Sequence, residues 1–159
     1  MGDARALLDE LRGRGLSVAT AESLTGGLVC ARLVSVPGAS DVVRGSVVAY
    51  ATDVKSSVLG VDEALLAARG PVDADVALAM ARGVRSRLGA DVGLATTGVA
   101  GPGPADGHEA GTVLVAVSTP WYDEALELHV RGDRSAVREA SVDAVIDLAI
   151  VQITRSAQP

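Results

Sequence analysis

Apolar residues recur along this chain in two rhythms. From Ala4 to Arg12, and again at Leu28, Val29, Leu33 and Val34, they return at helical spacing, whereas Leu16-Ser17-Val18-Ala19-Thr20 has the β-branched alternation of a strand. Val36-Pro37-Gly38-Ala39-Ser40 breaks the pattern before a second strand, about Val42 to Tyr50, and Thr52 to Leu59 reads as helix. Asp62 and Asp73 are plausible N-caps of two more helices, the second running through Val76, Leu78, Ala79, Met80 and Val84 to Leu88, where Gly89 can end it. Val92 to Thr97 is a short buried strand. Thr112 to Ser118 and Ala125 to Val130 flank a turn at Thr119 to Glu124, which predicts a hairpin and an antiparallel edge. A last helix starts near Asp133 and carries Val137, Ala140, Val145, Leu148 and Ile150 on apolar positions. With no repeat and no linker, this order predicts one α/β domain over residues 1–159. The expected architecture is three-layer α/β/α with a mixed, mostly parallel sheet.

The segment between the first strand and its helix, Thr20-Ala21-Glu22-Ser23-Leu24-Thr25-Gly26-Gly27, places hydroxyls where open α/β sheets keep their chemistry. Ser23 is a nucleophile candidate. Thr25, Gly26 and Gly27 carry no bulk that would keep their N–H groups from a carbonyl oxygen or a phosphate. The local pattern equally allows Ser23 or Thr25 to be an N-cap and the glycines a turn. A second loop at a strand end, Gly98 to Gly107, is too rich in Gly and Pro for regular structure and reads as an ordered loop or lid. A third, Tyr50-Ala51-Thr52-Asp53-Val54-Lys55, brings a Tyr and a Lys. Ser with Lys is a nucleophile and base combination, provided the amine's pKa falls far below its usual value of about 10.4. The other reading is a surface lysine with a tyrosine packed beneath it.

Composition narrows the ligand. Residues are 48% hydrophobic but 2% aromatic, with no Phe, so a core of Val, Leu, Ala and Ile is expected and a stacking surface for bases is not. A net charge of −6 disfavours nucleic-acid backbones and anionic membranes, leaving a local basic pocket for a small anion. Cys30 is the only cysteine, which rules out an intramolecular disulfide and a cysteine-based zinc site. It is expected to pack in the helix interior. His108 and His129 form no metal cluster. The N-terminal stretch has no signal-peptide core and no run spans a bilayer, so a cytoplasmic location is expected.

Several separated segments resemble the CinA C-terminal-domain family. They are Thr20 to Gly27, Gly45-Ser46-Val47-Val48-Ala49-Tyr50 with Lys55, Leu94 to Gly103, Gly111-Thr112-Val113, and Gly132 to Arg138. The resemblance covers nearly the whole chain and is to the stand-alone, PncC-like form, whose members are nicotinamide mononucleotide deamidases. It implies hydrolysis of that nucleotide's carboxamide to nicotinate mononucleotide and ammonia, without metal or organic cofactor. Carried over, Ser23 is the nucleophile, Lys55 the base, and Tyr50 the group that orients the hydroxyl or relays a proton. N–H donors near Thr25, Gly26 and Gly27 would hold the oxyanion. The substrate's phosphate needs donors from Gly98 to Gly103, including Gly98 and Gly101, or a guanidinium from Arg134 or Arg138. Either arginine can instead pair with Asp133 or Glu139. Thr97 and Thr112 can contact ligand or satisfy backbone, and Glu22 can orient Lys55, pair with an arginine, or stabilise a helix N-terminus. Family members are commonly oligomeric, so a homo-oligomer is expected, with no nucleic-acid or membrane partner.

The chain departs from the family pattern in three places. Leu24 stands where many members have Cys, Asp73 where Ser is common, and Pro104 to Ala110 replaces a longer Gly/Pro/Lys loop. That loop is the main support for one alternative, a hydrolase of a different small amide; the other is a non-catalytic nucleotide-binding or regulatory module, which loss of Ser23, Tyr50 or Lys55 would have favoured. Trp121 and Tyr122, at the expected hairpin tip, read as exposed packing on a neighbouring loop or as a protein contact.

Overall fold

The computed structural model describes residues 1–156. Five strands form one sheet: β1 (Val18–Glu22), β2 (Val43–Val48), β3 (Val92–Gly98), β4 (Thr112–Ser118) and β5 (Asp123–His129), in the order β2-β1-β3-β4-β5. The helices are α1 (Ala4–Gly13), α2 (Leu28–Val34), α3 (Thr52–Ser57), α4 (Glu63–Arg69), α5 (Ala74–Leu88) and α6 (Arg134–Arg155). Among the described residues, no helix is long and apolar enough to cross a membrane.

Side chains alternate across the sheet, as the two-residue period requires. Val18, Val92, Leu94, Val113, Val115 and Val117 enter one core with Leu7, Leu8 and Leu11 of α1, Leu33 of α2 and Val145, Ile146 and Ile153 of α6. Ala19, Ala21, Ala95, Leu114 and Ala116 enter the other, against Val76, Ala77, Met80, Ala81 and Val84 of α5. Helices therefore cover both faces, in three layers. The second face is built of small residues because α5 lies very close to the sheet: a methyl at Gly93 would run into the carbonyl oxygen of Ala81.

The expectation of a mostly parallel sheet is corrected. β1 pairs in parallel with β2 and β3, but β3 with β4 and β4 with β5 are antiparallel, and these are the longer ladders. The reason lies in the connection from Gly98 to Gly111, which contains no helix. A parallel return needs a crossover of a dozen or more residues, usually helical. β1 also runs two residues beyond the expected end, because Ala21 and Glu22 pair in register with both neighbouring strands.

Local stop signals act as read. The Asp62, Asp73 and Asp133 carboxylates accept backbone N–H groups at the starts of α4, α5 and α6, and Gly89 ends α5 in a left-handed conformation (φ 61°). Because β2 and β3 flank β1 on opposite sides, the chain leaves β1 at a switch point. Ligands of open α/β sheets bind beyond strand ends at such points. Ser23 is the first residue past β1. Gly93→Ala is expected to lower the unfolding free energy by about 1–3 kcal/mol through overpacking of α5; an unchanged urea midpoint would contradict this packing.

Candidate active site

The turn carrying Ser23 is held from below by Glu22. Its side chain is fully buried, and no basic group lies within ion-pair distance among the described residues. Oε1 accepts the Thr25 hydroxyl (2.7 Å) and the N–H groups of Gly27 (3.2 Å) and Val29 (2.8 Å). Oε2 accepts the Cys30 N–H (3.0 Å), with Thr20 Oγ1 and Ser46 Oγ at 3.1 and 3.2 Å. The carboxylate thus does the work of an N-cap for α2, where donors and helix dipole favour an anion. Of the roles open to Glu22, helix stabilisation is the one its contacts make.

This arrangement sorts the turn's groups. The Thr25 hydroxyl is spent on Glu22 and meets Thr96 Oγ1 at 2.8 Å; the Gly26 N–H donates to Ser23 O (3.0 Å) and the Gly27 N–H to Glu22. Gly26 and Gly27 are therefore not free oxyanion donors, which corrects that expectation. Their φ values of 59° and 105° show what they supply instead: a left-handed turn that carries the chain into α2. Among the described residues no acceptor takes the Leu24 or Thr25 N–H. Ser23 is not an N-cap. Its N–H donates to Thr96 O (3.0 Å), and its hydroxyl faces Lys55.

Lys55, on α3, is 1% exposed. Its Nζ lies 2.9 Å from Ser23 Oγ, 2.8 Å from the carbonyl oxygen of Ala49 and 3.3 Å from that of Tyr50. Ala49 is brought there because its N–H donates to Glu22 O at 2.8 Å, closing the end of β2 against β1. Burial lowers the lysine's pKa from 10.5 to about 8, against an opposing pull from the Asp106 carboxylate. A neutral amine offers two N–H donors and one lone pair. Two carbonyls and one hydroxyl accept the three N–H bonds of the ammonium, and they match the neutral set once the Ser23 O–H turns to donate to Nζ. The surface-lysine alternative does not hold. The sequence carries a further signal for this residue: Lys55 is the chain's only lysine, beside thirteen arginines.

Ser23 and Lys55 open into a cavity lined also by Leu24, Tyr50, Thr97, Gly98, Gly101, Asp106 and Arg134. The Tyr50 ring is 60% exposed, and its hydroxyl is held by Arg134 Nη2 (3.1 Å) rather than by Ser23. Tyr50 reaches the pair only through its backbone carbonyl, which corrects its assignment as the group orienting the serine. Arg134 also donates to Gly101 O (2.8 Å), strapping the Gly/Pro loop to Tyr50. Arg138 is elsewhere: Nε and Nη2 donate to the carbonyl oxygens of Leu24 (2.9 Å) and Thr25 (3.1 Å). It braces the Ser23 turn, and of the two arginines only Arg134 lines the cavity.

Thr97 lines the cavity, with its hydroxyl donating to Pro71 O (2.6 Å). Gly98 passes so near β4 that a Cβ would lie 2.5 Å from Thr112 O. Thr112 itself is buried outside the cavity lining. Cys30 is half-buried; burial, followed by the Glu22 charge, pushes its thiol pKa up. His129 is exposed beside Glu127 (3.1 Å), and His108 closes a small backbone bridge with Ala105. Trp121 and Tyr122 are exposed at the β4–β5 turn.

Residues 3–153 match the CinA C-terminal domain. The chain belongs to the CinA C-terminal domain family. A CinA-like protein of Frankia casuarinae is 51% identical over 135 residues, 85% of this chain and 31% of the relative. A putative competence-damage inducible protein of Desulforamulus reducens is 47% identical over 85% of this chain and 33% of its own length. The chain thus spans about a third of these curated relatives. Solved CinA-superfamily structures match end to end. The Klebsiella pneumoniae 700603 protein is 29% identical with TM-score 0.92, covering 96% of both chains. The competence/damage inducible protein CihA of Agrobacterium tumefaciens is 32% identical with TM-score 0.89, covering 95% of this chain and 93% of that one.

In this CinA domain, Glu22→Gln would turn one carboxylate oxygen into an NH₂ group facing N–H donors. A loss of about 2 kcal/mol or more in unfolding free energy is expected, with faster amide exchange in α2. Unchanged stability would show that the Glu22 contacts do not hold the turn.

Proposed function

We propose that this chain is an amidohydrolase that converts nicotinamide mononucleotide to nicotinate mononucleotide and ammonia through a serine nucleophile with a lysine base. The observation that carries this reading is the 2.9 Å approach of a buried, neutralisable Lys55 amine to the Ser23 hydroxyl at the wall of an open cavity. Family membership supports it.

The steps follow from these groups. Neutral Lys55 takes the Ser23 proton as Oγ bonds to the carboxamide carbon. Charge gathers on the carbonyl oxygen, for which the Leu24 and Thr25 N–H groups are the open donors of the turn. As the tetrahedral centre collapses, the Lys55 ammonium returns its proton to the amide nitrogen. The C–N bond breaks, ammonia leaves, and an ester on Ser23 remains. Water then attacks the ester, Lys55 accepting its proton and passing it to Ser23 Oγ as the acid product departs. The carbonyls of Ala49 and Tyr50 hold Nζ in place throughout. The phosphate belongs near Arg134, whose guanidinium must exchange its bond to Tyr50 or Gly101 for a bidentate one.

The Pro104 to Ala110 segment keeps a different small amide as the second reading, since it contributes Ala105 and Asp106 to the cavity. Ammonia release from the mononucleotide, free nicotinamide, the dinucleotide and simple amides separates the two readings. No release from any of them supports the binding-module alternative.

Two outcomes are expected of the purified protein. Ser23→Ala and Lys55→Met each lower ammonia release from the mononucleotide by at least about a thousandfold while the proteins stay folded; an undiminished rate in Ser23→Ala refutes covalent catalysis. Because the base works only when deprotonated, kcat/KM is expected to rise with pH and level off above about 8. A profile flat from pH 6 to 10 would contradict a lysine base.

A further inference from the structure

Among the described residues, Asp106, an exposed side chain, is the one carboxylate lining the cavity that Ser23, Lys55 and Arg134 share. It sits in a built turn. The Ala105 N–H donates to His108 O (3.0 Å) and the His108 N–H to Ala105 O (2.9 Å), leaving Asp106 and Gly107 as two central residues with φ of 51° and 78°. Two central residues of positive φ define the tight I′ turn, for which Asn-Gly and Asp-Gly serve equally. Turn geometry thus explains a short polar residue at 106 but not its charge. Among the described residues, no basic group lies within ion-pair distance of this carboxylate. A lone anion on the wall of a cavity is an electrostatic preference waiting for a cation.

We propose that Asp106 selects a substrate whose reacting amide is carried on a positively charged heteroaromatic ring, a carbamoyl-pyridinium rather than a neutral amide. This inference rests on the amidohydrolase reading and deepens it: Arg134 is placed for the anionic end of the substrate and Asp106 for its cationic ring. The charge also bears on the chemistry. By itself the Asp106 field favours the protonated lysine, the form that cannot act as base. A bound cation offsets that field and repels an ammonium, so both effects move Lys55 toward its neutral form when the right ring is present. A neutral amide gains neither.

Asn keeps the turn and deletes the charge, so Asp106→Asn isolates the electrostatic role. Calorimetry on Ser23→Ala protein, with and without Asp106→Asn, would compare nicotinamide mononucleotide with its dihydro form, which has the same ribose and phosphate on an uncharged ring. The cationic form is expected to bind more tightly. Asp106→Asn is expected to weaken its binding by about tenfold and to leave the dihydro form within about twofold. Equal loss for both ligands, a preference that survives Asp106→Asn, or no binding of either form overturns the inference. The amidohydrolase reading then stands if wild-type protein releases ammonia from the mononucleotide, and falls if it does not.

Discussion

Burying an amine without an ion-pair partner is the constraint on which this site depends. Lys55 has traded water for two carbonyl oxygens and one hydroxyl, none of which carries a counter-charge. Holding it charged in the folded protein costs on the order of 3 kcal/mol for a fall in pKa from 10.5 to about 8. Between those two values the unfolded chain binds more protons than the folded one, so the lysine's contribution to stability rises with pH across that window. A residue chosen for stability would not be a lysine. Its burial makes physical sense if the amine must lose its proton readily and must touch Ser23.

A second buried group makes that contact possible. Glu22 gathers donors from β1, β2 and the first turn of α2, and Arg138 grips two carbonyls of the same loop from α6. The serine turn is thereby fixed from the sheet below and the helix beside it. A hydroxyl held in this way need not reorganise before attack, which is where positioning contributes to rate. The small-residue face under α5 belongs to the same design. It lets the helix lie close to β1 and β3, so that the strand ends carrying Ser23 and Thr97 open into one cavity.

How much of this was legible in the sequence depended on how local the cause is. Asp62, Asp73, Asp133 and Gly89 announced helix ends because capping involves residues only a few positions apart. The mostly antiparallel sheet has its clue in the chain as well: nothing between Gly98 and Gly111 has helical spacing, so no helical parallel crossover from β3 to β4 is available. Ser23 and Lys55 stand out in the local sequence as a nucleophile and a base, the family resemblance pairs them, and their convergence follows from β1 and β2 being neighbours. The different fates of Arg134 and Arg138 are not legible, because two arginines four positions apart on one helix sort only once α6 is docked beside the Ser23 turn. Tyr50 failed for a similar reason. Its backbone serves the pair while its side chain faces Arg134, a split that residue identity does not express.

The single lysine makes the central claim directly measurable. Protein grown with ¹³C-labelled lysine has one ε-carbon resonance from the side chain at position 55, which can be followed by NMR as pH is raised. The account predicts a midpoint near 8, and a change in that resonance when Ser23 is replaced by Ala at constant pH. A midpoint close to 10.5, indifferent to Ser23, would place the amine in water and contradict the pairing on which the site is built.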